Sequence, residues 1–165
     1  MRVVVPFTEM APATAAALDA TSAPWEAVDV SSDDESYWRL LRDLWADSET
    51  FLIVEHDIVV RPSTVVEMAM CPSQWCAARY PYFNGNHAGM GCAKFGTSLL
   101  RALPDAIGEI GDRFDGSHPR RHWCRLDAWL TRLLHQRGIP LCTNHAPVGH
   151  VRSFPGTVKP SHGCC

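Results

Sequence analysis

The sequence predicts an α/β fold with a mostly parallel central sheet flanked by helices, and three observations predict it. Short runs of branched apolar residues recur at RVVVPF (Arg2 to Phe7), WEAVDV (Trp25 to Val30) and FLIVEHDIVV (Phe51 to Val60). Stretches with helical spacing separate them. That alternation implies parallel strands joined by right-handed crossovers, with helices covering the sheet. The chain has 165 residues, enough to bury the core such a domain needs. It divides into one domain over 1–153 and a tail over 154–165.

Each element has a local cause. Pro12 followed by ATAAALDA starts a helix, because proline is tolerated in the first turn and the alanines after it have high helix propensity. SSDDE offers hydroxyl and carboxylate caps ahead of SYWRLLRDLWAD, where Tyr37, Leu40, Leu41 and Leu44 share one helical face. Arg61-Pro62-Ser63 ends the third strand, and Ser63 is placed to cap the helix STVVEMAM. QWCAARYPY predicts a fourth strand. The glycine-rich stretch FNGNHAGMGCAKFGTSLL predicts a loop with a short strand from Met90 to Phe95, its glycines serving turns or close approach to a ligand. It lacks the lysine and hydroxyl of a phosphate-binding loop. HWCRLDAWLTRLLHQRG predicts a helix closed by Gly138, with Trp123, Leu126, Leu130, Leu133 and Leu134 as its inward stripe.

Composition weighs on several classes. A net charge of −3 with mixed signs gives no basic stripe for nucleic acid, which leaves a nucleic-acid acceptor unsupported rather than excluded. MRVVVPFTEMAP is too short in its apolar run for a signal peptide, and no segment approaches a membrane span, so a soluble cytoplasmic protein is expected. Seven cysteines without a paired CxxC suggest neither a disulfide framework nor a zinc ribbon.

The unusual feature is Glu55-His56-Asp57 inside an apolar run. In a continuous strand, alternation puts Glu55 and Asp57 on one face and packs His56 on the other. Two neighbouring carboxylates in a low-dielectric setting require a cation or hydrogen-bond donors. The plainer alternative ends the strand at Val54 and leaves the triplet as a solvated loop. Pro6, Asp29 and the triplet all fall at the carboxyl ends of predicted strands, where α/β sheets bind ligands. Asp127 projects from the apolar stripe of the last helix, either for a task or as an edge residue paired with Arg125 or Arg132.

The order of these motifs resembles the GT-A fold glycosyltransferases, closest to the inverting family-two type, over Arg2 to about Ser153. VEHDIVVRP resembles the family's Asp-x-Asp motif with Glu55 in place of the first aspartate, and VDVSSDDES resembles its nucleotide-binding stretch. The resemblance implies a Rossmann-like GT-A sandwich that transfers a sugar from a nucleotide-sugar donor to a hydroxyl acceptor on a glycan, a protein or a modified nucleobase. It implies Mn²⁺ or Mg²⁺ held by Asp57, with Glu55 at the ribose or a metal-bound water. Hard divalent ions do prefer carboxylate oxygens. Pro6, Phe7 and Asp29 would surround the base, whereas Asp33 is accounted for by helix capping. Asp127 would be the catalytic base, with Glu109 or Asp115 as substitutes because the family's acidic doublet is absent. His150 rather than His145 would complete the metal site. Tyr80, Tyr82, Phe83 and Asn84 could shelve sugar or acceptor, with core packing the simpler account of Tyr80. Two other readings stand beside this one: a nucleotidyltransferase, weakened because PFTEMAP lacks glycine, and a noncatalytic zinc-stabilised interaction module.

Overall fold

The computed structural model describes residues 1–82, 85–112 and 123–151 of the chain, with the side chains of Tyr82, Asp112, Trp123 and Cys124 left aside. The elements in order are β1 (Arg2–Phe7), α1 (Pro12–Asp19), β2 (Glu26–Asp29), α2 (Ser36–Ala46), β3 (Phe51–Val54), β4 (Ile58–Val59) and α3 (Thr64–Met70). Then come β5 (Trp75–Tyr82), β6 (Gly85–Phe95), α4 (Thr97–Ala102), α5 (Ala106–Asp112), α6 (Trp123–Gln136) and β7 (Gly149–His150). The fold is mixed α/β. Phe83, Asn84, Asp115 and the tail lie outside the described residues.

The main sheet has the order β2-β1-β3-β6-β5, and β4 pairs with β7 in a separate two-stranded ribbon. β1 pairs parallel with β2 and β3, as expected. β6 pairs antiparallel with both β3 and β5. Four strands therefore point one way, and β6 runs against them in the gap that a purely parallel sheet would close. This corrects the expectation of crossover-linked parallel strands. The stretch expected to be a loop with a short strand is the longest strand of the sheet, and β5 joins it as a hairpin.

The third predicted strand is also corrected, because it breaks after Val54. Its first half stays in the main sheet, and Ile58-Val59 turns away to pair with Gly149-His150. Ser63 gives no side-chain cap bond to α3; its hydroxyl donates to Glu67 Oε1 at 2.7 Å instead.

Apolar alternation along the strands feeds two cores, one on each face of the sheet. On one face Val4, Phe51, Ile53, Trp75, Ala93 and Phe95 pack against α2, α4, α5 and α6. On the other, residues such as Val3, Val5, Leu52 and Val54 meet α1, α3 and the small ribbon. Trp45 anchors the first core. Its ring lies 5.4 Å from Phe95 and 6.4 Å from Phe51, and its indole N–H donates to Leu103 O at 2.7 Å. Gly138, at φ 72°, ends α6, and the next amide, Ile139, returns to Leu134 O at 3.0 Å. That is the left-handed stop for which glycine suits the position.

Trp45→Phe removes the buried donor and some volume, leaving the Leu103 carbonyl with the Ala106 N–H, at 3.2 Å, as its one remaining donor among the described residues. Urea unfolding is expected to show a loss of about 1–3 kcal/mol with an unchanged slope.

Candidate functional site

The triplet after β3 is a tight turn held from all sides. Ile58 N–H donates to Glu55 O at 3.0 Å, closing it. Glu55 N–H reaches Gly91 O at 2.8 Å, Ala11 N–H reaches His56 O at 3.2 Å, and Val151 N–H reaches Asp57 O at 2.8 Å. β6, the start of α1 and the end of β7 thus fix the turn. Strand alternation is not what brings Glu55 and Asp57 together, and His56 is only partly buried. The triplet is not a solvated loop either, since Asp57 is 7% exposed.

Five elements deliver polar side chains to the neighbourhood of this turn. His150, itself buried, places Nε2 3.3 Å from Asp57 Oδ2. The short ribbon causes this, because its register sets His150 opposite Ile58. His150 stacks on Tyr80 with ring centroids 5.6 Å apart, and Tyr80 meets His87 edge-on at 5.5 Å. The Tyr37 hydroxyl, from the buried face of α2, donates to Glu55 Oε1 at 3.2 Å. Asp127 lies 3.2 Å from His87 Nε2 and accepts from the Thr131 hydroxyl at 3.3 Å. Its partners among the described residues are therefore these two, and neither Arg125 nor Arg132.

Electrostatics tie the groups into one site. Burial, then the charges of Asp57 and Asp127, push the Glu55 carboxyl up to about 8, against smaller opposing effects of the Tyr37 hydrogen bond and of His87. Tyr37 is raised by burial and by Glu55. His87 is raised by its bond to Asp127, so that pair favours the imidazolium. The assembly is rich in negative charge.

Two glycines of β6 make room for it. A Cβ at Gly89 would overlap the Asp127 carboxylate, and one at Gly91 would sit 2.7 Å from the Tyr80 ring. These glycines serve close approach within a strand. Their period-two spacing in HAGMG was the signal available in the sequence. Nothing local marked His87, Tyr37 or Tyr80 as neighbours of the triplet.

The remaining predicted residues divide. Phe7 and Asp29 are register partners at the ends of β1 and β2, on the same edge of the sheet as the triplet, and Pro6 lies one step below Phe7. Asp29 faces solvent, and the Ser31 hydroxyl, followed by the Ser31 N–H that donates to it at 2.8 Å, lowers its proton affinity. Asp33 accepts from Glu35 N–H and pairs with Arg39 at the start of α2. Glu109 is gripped by Arg137 at 2.8 Å on another part of the surface. His145 stands apart from Asp57, beside Cys142. A groove of about 440 Å³ at the amino end of β5, between Pro72, Gln74, Leu99 and Ile139, carries no titratable lining residue and is not the candidate site.

Set against known proteins, the architecture matches a crystal structure of a glycosyltransferase involved in the glycosylation of the major capsid of PBCV-1. The TM-score is 0.52 at 8% identity, over 93% of this chain and 95% of that one. What the two share is the fold. A197 from STIV matches with a TM-score of 0.46 at 11% identity, over 61% of this chain and 68% of the other, too distant to bear on the architecture. No protein-family model matches the sequence, and no curated protein does. No helix among the described residues is long and apolar enough to cross a membrane.

The raised Glu55 carboxyl has a sign that can be checked. Between its ordinary value and about 8 the native protein holds a proton that the unfolded chain has released, so this group makes stability fall as pH rises. In protein freed of Mn²⁺ and Mg²⁺, Glu55→Gln is expected to be more stable than wild type at pH 8, by on the order of 1–3 kcal/mol. The gap should shrink toward pH 5 in urea titrations. A gap independent of pH would mean that Glu55 is not electrostatically stressed.

Proposed function

We propose that this chain is a metal-dependent glycosyltransferase that moves a sugar from a nucleotide-sugar donor to a hydroxyl acceptor by single displacement with inversion. The observation that carries the reading is the convergence of Glu55, Asp57 and Asp127 beyond the carboxyl ends of β1 and β3. Ligands of α/β sheets bind at such an edge. The fold match to a glycosyltransferase along nearly the full length of both chains supports it.

The donor set fits a divalent cation. A buried carboxylate and a buried imidazole stand 3.3 Å apart, and a second carboxyl is raised by burial and then by the negative charge around it. Oxygen ligands with one imidazole suit Mn²⁺ or Mg²⁺. Asp57 and His150 would hold the ion, which when bound supplies positive charge to balance the departing nucleoside diphosphate.

The chain's own residues do the rest. Phe7, Pro6 and Asp29 line the strand ends where the nucleotide base would lie, and Glu55 faces the ribose hydroxyls. Asp127 accepts the proton of the acceptor hydroxyl as its oxygen forms the new bond to the anomeric carbon. The bond from that carbon to the diphosphate breaks, and its electron pair leaves with the nucleotide. His87 and Thr131 orient the Asp127 carboxylate for this step.

The first test is nucleotide release from a panel of UDP-, GDP- and dTDP-sugars with Mn²⁺. Wild type should release one nucleotide, and Asp57→Ala should lose both release and Mn²⁺-dependent nucleotide binding. Asp127→Asn should keep donor binding while transfer falls by about 10²–10⁴-fold. No release from any donor, together with no Mn²⁺-dependent nucleotide binding, would sink the reading.

Gly89→Ala gives a separate check on geometry, because the added methyl would displace the Asp127 carboxylate. Turnover is expected to fall at least about tenfold at unchanged donor affinity, since misplacing a reacting group costs rate before binding. Steady-state kinetics with isothermal titration of the donor separate the two effects.

A further inference from the structure

A second cluster of ligating side chains lies on the same face of the sheet as Asp57 but lower along β5. Cys71 is the residue that ends α3, Cys76 lies on β5, and Cys142 and His145 belong to the segment between α6 and β7. One ligand atom from each of Cys71, Cys76 and His145 lies within 4.8 Å of the others. Cys142 Sγ is 3.9 Å from Cys71 Sγ and 4.0 Å from His145 Nε2. Cys142 also pairs with Cys76 as an isolated parallel bridge, which sets the two residues side by side.

Cys71, Cys76 and His145 stand at separations that suit one ion, and Cys142, beside Cys71 and His145, would supply the fourth ligand by a side-chain adjustment. Zinc–sulfur bonds of ~2.3 Å in a tetrahedron put the sulfurs about 3.8 Å apart. Three thiolates and an imidazole form a closed structural set, and soft sulfur ligands select zinc over the hard cations proposed for the carboxylate site.

The surroundings supply the matching charge. Lys94 is 4% exposed, and its ammonium donates to Cys71 O at 2.6 Å. Among the described residues it makes no ion pair with a carboxylate. A buried lysine without an anion is costly. Three thiolates around one Zn²⁺ carry a single net negative charge, which would offset that cost beside the Cys71 carbonyl.

We propose that Cys71, Cys76, Cys142 and His145 bind a structural zinc ion. The ion clasps the end of α3, the outer strand β5 and the segment that leads into β7. That segment lies along the edge of β5 through Ala77 N–H to Cys142 O at 2.9 Å, Cys142 N–H to Trp75 O at 3.1 Å and Val148 N–H to Arg79 O at 2.8 Å. His150 comes a few residues on, so the clasp holds the strand that presents His150 to Asp57. The sulfur chemistry and the position both separate this ion from the one proposed at the carboxylates.

The test is metal analysis of the full chain purified under reducing conditions, followed by removal of the metal and titration with Co²⁺. About one zinc per chain is expected. Co²⁺ should give the intense sulfur charge-transfer and tetrahedral ligand-field bands of a thiolate site. Zinc removal should lower the melting temperature by roughly 5–10 °C, and zinc alone should restore it. Cys142→Ser and His145→Asn should each lose the sulfur-site spectrum or weaken zinc binding at least tenfold. Asp57→Ala should keep both zinc and spectrum, whatever happens to sugar-nucleotide turnover. Reduced wild-type protein that takes up no zinc, or whose Co²⁺ spectrum lacks sulfur ligation, overturns the proposal. A Cys71–Cys142 disulfide whose reduction yields no zinc uptake overturns it too.

Discussion

Three carboxylates held near one another, with aspartate-bound histidines as their nearest counterweights, set the terms for this protein. Burial first, then the charges of Asp57 and Asp127, raise the proton affinity of Glu55, and each aspartate is fixed by a different part of the scaffold. Repulsion of this kind would drive side chains apart on a loose surface. Here the turn carrying Glu55 and Asp57 is bonded through its backbone to β6, to the start of α1 and to β7. The carboxylates cannot relax by moving, so the strain is met by a proton held on Glu55, by hydrogen bonds to Tyr37, His87 and Thr131, by the approach of His150 to Asp57, or by taking a cation.

β6 is the element that makes this geometry available. Running against its neighbours, it carries Gly91 to the amide of Glu55 and Gly89 beneath Asp127. It also returns through the hairpin to Tyr80, against which both His87 and His150 pack. A side chain at either glycine would hold α6 or the Tyr80 ring away from the turn. The same strand carries Lys94 further down, toward the cysteine cluster. One strand therefore touches both candidate ligand sites without contributing a carboxylate or a thiol to either.

Much of the scaffold was legible in the sequence. The apolar runs of β1 and β3, the proline start of α1, the stripe of α2 and the Gly138 stop of α6 all act through contacts a few residues apart, where periodicity and propensity are informative. The direction of β6 was not legible. A strand buried on both faces is apolar throughout whether its neighbours run with it or against it. A break after Val54 was weighed as the plainer alternative, but the pairing of Ile58-Val59 beyond it was not legible, since IVV looks the same in the main sheet and in a separate ribbon. Of the candidate site, the unusual text of Glu55-His56-Asp57 and the misplaced Asp127 stood out because each violates a local pattern. Tyr37 and Tyr80 obeyed theirs, and His87 sat in unpatterned sequence, so only the tertiary structure reveals where they go. The cysteines are scattered along the chain with no spacing that shows they meet.

The two-residue ribbon of β4 and β7 has a consequence for biosynthesis. Residues emerge from the ribosome in order, so β1, β2 and the turn of Glu55 are available long before α6 and His150. Until β7 arrives, the backbone of Ile58 has no partner strand and Asp57 lacks its imidazole. A nascent chain at that stage displays a sticky, half-formed edge beside a patch of negative charge. Arrival of β7 is therefore the event that hides this edge, and it waits on residues made about ninety positions after β4.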